Sequence, residues 1–187
     1  TALIEFLESA WTEPDEGIWE VRGPRRHFTH SKVMAWVAVD RTVKSMERFG
    51  LPGPLERCRK LRATIHEEVC RKGFDSKRNS FVQFYGGTDL DSSLLMIPLV
   101  GFLPPSDLRI QGTVHAIERD LMRDGLVARY STKPEVDGLP SGEGVFLACS
   151  FWLADNFALL GRREDAVRLF ERLLDLRLDA GPVLAGR

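Results

Sequence analysis

Residues Pro14-Asp15-Glu16-Gly17-Ile18-Trp19-Glu20-Val21-Arg22-Gly23, followed by His27-Phe28-Thr29-His30-Ser31-Lys32, set a carboxylate directly beside a large flat aromatic. Glycine and proline bound the stretch, which marks it as a loop, and a long apolar-periodic segment follows it. The pairing suits cleavage of a bond between sugars. An indole face stacks on a sugar ring, and a carboxyl held protonated beside it delivers its proton to the leaving oxygen. The same residues also fit a polar loop between helices in which Trp-Glu is incidental.

The elements that must position this loop are helices. Leu3, Ile4, Phe6, Leu7 and Trp11 form an apolar stripe ahead of Pro14. Val33, Met34, Trp36, Val37, Val43, Met46 and Phe49 predict a helix capped by Ser31 and closed by Gly50. Residues 54–72 predict a third, with Leu55, Leu61, Ile65 and Val69 among many charges. An apolar run over residues 92–99, a charged helix over 106–124, an apolar helix over 144–160 and a charged one over 163–178 complete the pattern. Apolar and charge-rich helices thus alternate. A helix apolar on most sides is buried and one with a single stripe lies outside, so three inner/outer hairpins are expected. No fixed-period repeat supports a regular solenoid. The only strand-like stretch is Ser80 to Tyr85, and residues 12–31, 74–91 and 125–143 read as long loops.

Composition narrows the function classes. A chain of 187 residues with 43% hydrophobic and 28% charged content is of ordinary globular type. A net charge of -1 gives no global attraction to nucleic acid or to an anionic membrane, so no nucleic acid and no membrane is expected among its partners. Arg57, Arg59, Lys60 and Arg62 cluster on one predicted helix and read as its solvated face. Cys58, Cys70 and Cys149 share no metal-like spacing, and the first two lie on one helix where they cannot pair. Reduced thiols and a cytoplasmic location are the expectation. His27 and His30 lack a third ligand nearby, which argues against a metal. His66 and His115 fall on charged helices, and Trp36 and Trp152 read as core. Lys32 at a helix start reads as solvated.

Four motifs in order carry a resemblance. Gly17 to Gly23, Phe28-Thr29-His30-Ser31-Lys32-Val33-Met34, Gly101-Phe102-Leu103-Pro104-Pro105 and Gly142-Glu143-Gly144-Val145-Phe146-Leu147-Ala148-Cys149-Ser150-Phe151-Trp152 resemble the bacterial branch of the glucoamylase/trehalase family, glycoside hydrolase family fifteen. The resemblance implies an all-α fold of helical hairpins forming part of an (α/α)6 toroid. It also implies inverting hydrolysis of α-glucosidic bonds by one Glu as acid and another as base. On that match Glu20 is the general acid, and stacking against Trp19 with partial desolvation would raise its affinity for the proton. Val21 stands where fungal members carry a second Glu. Arg129, followed by Tyr130, matches an arginine that binds sugar hydroxyls, a task its forked donors suit. Glu143 enters an inner helix where the family approaches the sugar; it contacts substrate or simply favours the helix N-terminus.

The resemblance also implies something missing. Inversion needs a second carboxylate about 6.5–9.5 Å from the first, which the family places just beyond the last outer helix. Here the sequence reads Asp179-Ala180-Gly181-Pro182-Val183-Leu184-Ala185-Gly186-Arg187, with no Glu after Glu171. The chain also opens without an initiator Met. The expectation is one all-helical domain over residues 1–187, the C-terminal portion of a catalytic domain that keeps the acid and lacks the base. Alone it would be inactive, and the flanks of its first and last hairpins would favour self-association. An α-glucoside or oligosaccharide is the expected substrate, and no cofactor is implied. The alternative from another class is a helical module that binds a sugar or another chain without turnover.

Overall fold

The computed structural model describes residues 2–21, 23–130 and 145–179. Helix α1 spans Ala2–Ala10, α2 Thr29–Phe49 and α3 Leu55–Lys72. A 3-10 turn, Ser92–Leu95, runs directly into the short α4, Met96–Leu99, and α5 spans Leu108–Leu121. Helices α6, Leu147–Leu159, and α7, Arg163–Asp179, close the described chain. The architecture is all-α, as the alternation of apolar and charged segments predicts.

Short connections fold the helices back in pairs: α2 packs along α3 and α6 along α7, and the 3-10 turn packs on α5. The inner members also meet one another, because the 3-10 turn and α4 contact both α2 and α6. Helix α3 shows how an outer helix is specified. Cys58, Leu61, Ile65 and Val69 form its buried stripe at spacings of three and four, and the intervening charges stay on the surface. Val33, Trp36, Val39 and Val43 of α2 meet that stripe in a core that continues through Leu94, Leu95, Ile97, Ile117, Leu153 and Phe157.

One buried carboxylate locks the first hairpin. Asp40 on α2 is 2% exposed and pairs with Arg41 at 2.6 Å, Lys44 at 2.8 Å and, across on α3, Arg62 at 3.2 Å. Burial pushes its proton affinity up, but Lys44 and Arg41 outweigh that and hold the carboxyl below its ordinary value.

Four expectations change in detail. Helix α2 begins at Thr29 after Phe28, with no side-chain cap, so Ser31 is not its N-cap. The Ser31 hydroxyl instead donates to Asp15 Oδ1 at 2.8 Å, which draws it out to the preceding loop. Helix α5 starts as expected, with Asp107 accepting from the Arg109 N–H, but ends at Leu121. Residues Met122–Arg123 (β3) and Leu126–Val127 (β4) then form a hairpin. Asp124 and Gly125 at its tip both adopt positive φ, 47° and 76°. That is the two-residue turn Asp-Gly favours, because it matches the twist of the flanking strands. Of the expected strand at 80–85 only Ser80–Phe81 (β2) pairs, with Phe74–Asp75 (β1), and Phe84 makes a lone bridge to Phe28. Lastly, Lys32 is buried at 2% exposure. Its ammonium donates to the carbonyls of Trp11 and Glu13, which gives the charge the partners burial demands.

Candidate active site

The loop between α1 and α2 is held at both ends before it reaches Trp19. Asp15 and Arg26 exchange backbone hydrogen bonds of 2.9 Å, pinching the loop closed. Inside the pinch Asp15 Oδ1 accepts from the Gly17 N–H at 2.6 Å, and Lys32 anchors the segment before it. Gly17 has φ of 71°, and a Cβ there would meet the Phe28 ring at 2.9 Å, so the position takes only glycine. The chain then turns tightly: the Glu20 N–H donates to Gly17 O at 3.2 Å and the Val21 N–H to Glu16 O at 3.0 Å. Glu20 itself sits at φ of 50°, a left-handed conformation that costs a non-glycine residue about 1–3 kcal/mol and persists only where surroundings impose it.

Trp19 supplies those surroundings. Its half-buried ring packs edge-on to Phe146 at 5.6 Å and against Trp152 at 6.3 Å, both from the segment that opens α6. Its indole N–H donates to both oxygens of Asp91, at 2.9 and 3.0 Å. The Arg129 guanidinium lies 5.7 Å from the ring centre and 5.9 Å from that of Tyr130. The structure therefore brings Trp19 and Arg129 together from distant parts of the sequence. Glu20 follows Trp19 at the same end of the helical array. Glu143 lies outside the described residues.

Two expectations about side chains are corrected here. Glu20 is exposed, so the described residues do not give it the desolvation expected from stacking on Trp19; that half-buried ring packs instead on Phe146 and Trp152 and bonds Asp91 through its N–H. Trp152 is half-buried and joins the aromatic cluster around Trp19, whereas Trp36 is core, packed on Phe102 at 5.0 Å.

Around the cluster lies a polar layer that the motifs do not reveal. Asp91, 2% exposed, also accepts from the Ser93 N–H at 2.8 Å and from Gln83 Nε2 at 3.1 Å. Its backbone bridges Tyr130, and the Ser92 N–H donates to Arg129 O at 2.8 Å. Burial lowers the proton affinity of His30, with the Asp91 and Asp15 charges pulling the other way, so the imidazole is held toward its neutral form. The Cys149 thiol is pushed up to about 11, chiefly by burial and against the hydrogen bond from Ser92, and is unreactive. The one signal that pointed to Asp91 is local: an Asp ahead of Ser92-Ser93 is a helix-cap pattern. Among the described residues no three His, Cys, Asp or Glu side chains converge as a metal site, and no helix is long and apolar enough to cross a membrane.

An all-α array of inner and outer hairpins with an aromatic, Trp-Glu turn at one end defines a class. Residues 1–182 match the family described as glycosyl hydrolases family 15, and the chain belongs to that family. It is 47% identical over 181 residues to a trehalase of Mycobacterium tuberculosis, covering 97% of this chain and 26% of that protein. It is 39% identical over 175 residues to a trehalase of Thermoplasma volcanium, covering 93% of this chain and 27% of that protein. The chain thus spans about a quarter of the length of these relatives. Among solved structures it superposes on a glycosidase carrying a Glu-to-Ala substitution, in complex with glucose. The TM-score is 0.77 at 21% identity, over 92% of this chain and 44% of that one. A wild-type glycosidase gives 0.75 at 21% identity, over 90% and 43%. These likenesses establish the fold.

Proposed function

We propose that the chain forms part of an inverting α-glucoside hydrolase, with trehalose as its first substrate and maltose or longer α-glucans as alternatives. Glu20 is the general acid that protonates the leaving oxygen. Trp19 offers the sugar an aromatic surface, Arg129 binds adjacent hydroxyls, and Glu143 contacts the substrate. The observation that carries this reading is the convergence of Arg129 on the ring that precedes Glu20: a forked cation and an aromatic beside a carboxylate are what a sugar ring and its scissile oxygen require. That relatives bear the name trehalase supports placing trehalose first among these substrates.

The fixed turn at Glu20 supports the acid role, since a proton donor must be aimed before it is useful. Its exposure in this chain leaves its desolvation to bound sugar and to walls contributed from outside residues 1–187. The chain spans about a quarter of the length of its trehalase relatives, and on this reading the second carboxylate that inversion needs belongs to the longer protein. The chain is then the C-terminal portion of one helical catalytic domain, working in the cytoplasm, and by itself does not turn over. Leu3 and Phe6 on α1 are 83% and 70% exposed, which favours self-association of the isolated chain through that flank.

The test is hydrolysis of trehalose by the complete gene product and by the 187-residue chain, with the anomer released followed by NMR. The longer protein should release one β-glucose per trehalose cleaved, the mark of inversion, and the chain alone should release none. Sugar binding without turnover by the complete product would favour a non-catalytic module. Robust turnover by the isolated chain would refute the truncation.

A further inference from the structure

We propose that Asp91 is the positioning residue for the acid: its buried carboxylate, bonded to the Trp19 indole N–H, fixes the turn that aims Glu20. The inference rests on the reading of Glu20 as the proton donor. Asp91 lies far along the chain in a segment between β2 and the 3-10 turn, and a cap for that turn would need only the bond from the Ser93 N–H. The carboxylate does more. Both oxygens also receive the indole N–H, at 2.9 and 3.0 Å, and Gln83 Nε2 adds a bond of 3.1 Å to Oδ2. A buried carboxylate is tolerable only when donors surround it, and a charged acceptor makes each such bond stronger than a neutral one.

The consequence reaches Glu20 through one peptide bond. Glu20 occupies a left-handed conformation, φ of 50°, in a turn closed by the Glu20 N–H to Gly17 O at 3.2 Å and the Val21 N–H to Glu16 O at 3.0 Å. A strained residue persists in such a turn only where its surroundings hold it, and among the described residues the indole N–H of its neighbour Trp19 donates to Asp91 alone. The backbone of the same segment serves the other side of the site: Asp91 bridges Tyr130, and the Ser92 N–H holds the Arg129 carbonyl at 2.8 Å. Asp91 therefore sets the aromatic surface and the acid relative to the strand end that carries the arginine. Without its charge the indole N–H loses its acceptor, the ring can turn, and Glu20 relaxes toward negative φ and swings its carboxyl away from the scissile oxygen.

The experiment is a double-mutant cycle in the complete gene product with trehalose, using Asp91→Asn, Trp19→Phe and their combination, with Glu20→Gln alongside. Trp19→Phe keeps an aromatic and removes the N–H. Asp91→Asn should lower kcat about 100-fold while KM changes by no more than about threefold, since aim and not affinity is lost. Trp19→Phe should lower kcat similarly, and adding Asp91→Asn to it should cost almost nothing more. In the 187-residue chain, the Trp19 indole cross-peak in a nitrogen-15 NMR spectrum, identified by its loss in Trp19→Phe, should exchange faster with solvent in Asp91→Asn. An unchanged kcat in Asp91→Asn, fully additive losses, or an unchanged indole exchange rate would each overturn the proposal. If Glu20→Gln abolishes turnover while Asp91→Asn does not, this inference falls and the acid assignment stands. If Asp91→Asn abolishes turnover while Glu20→Gln does not, the acid assignment falls and this inference with it. Should Asp91→Asn fail to fold, Trp19→Phe tests the same bond from its donor side.

Discussion

The Arg129 guanidinium lies 5.7 Å from the centre of the Trp19 ring, joining the loop ahead of α2 to the segment that follows the β3–β4 hairpin. Arg129→Lys keeps the positive charge but loses the planar fork that can grip two hydroxyls at once. Loss of one charge-assisted hydrogen bond corresponds to about a tenfold rise in KM. Steady-state kinetics on trehalose with the complete gene product should show that rise with a smaller change in kcat.

Lys32 ties the loop ahead of the site to α2. Lys32→Met preserves most of the apolar stem and strands the carbonyls of Trp11 and Glu13, which now accept from the ammonium. Stability should fall by about 1–3 kcal/mol, the usual cost of buried polar groups left without partners. Urea unfolding of the two proteins at one pH measures the difference; equal midpoints and slopes would show that the ammonium does not hold the loop.

His30 gives a pH dependence with a definite sign. Its folded-state pKa is lowered from 6.5, with burial the largest cause, so the unfolded chain takes up the proton at higher pH than the folded one. The contribution of the neutral imidazole is complete above the unfolded value and is lost as pH falls through the lower folded value. Between about pH 7.5 and 5.5 the melting temperature should drop more in the wild type than in His30→Gln. Parallel melting curves over that range would contradict the assigned burial effect.

How far the sequence reaches can be judged from these residues. The helices are legible because burial stripes such as Cys58, Leu61, Ile65 and Val69 repeat at helical spacing, and that periodicity is local. Family resemblance locates the Trp19-Glu20 turn and Arg129, but no periodicity places Arg129 over Trp19. Asp91 is hidden for a related reason: its one local signal is a cap, and its partnership with Trp19 depends on how distant segments pack. Lys32 reads as a solvated lysine because nothing in the adjacent sequence says that two carbonyls will converge on it. The Asp124-Gly125 hairpin was within reach, since Asp-Gly favours a tight turn, yet the charged pattern of α5 runs on into it and masks the break.

The central claim is that Glu20 delivers the proton to the leaving oxygen. A substrate that needs no such proton separates that role from a structural one: α-glucosyl fluoride loses fluoride ion without a proton donor, whereas the glucose that leaves from trehalose must be protonated on the bridging oxygen. The measurement is kcat/KM of the complete gene product and its Glu20→Gln variant on both substrates. On trehalose the variant should lose at least about 100-fold, in keeping with removal of a general acid, while on the fluoride it should retain most of its activity. Equal activity of variant and wild type on trehalose, or equal losses on both substrates, would contradict the assignment of Glu20 as the acid.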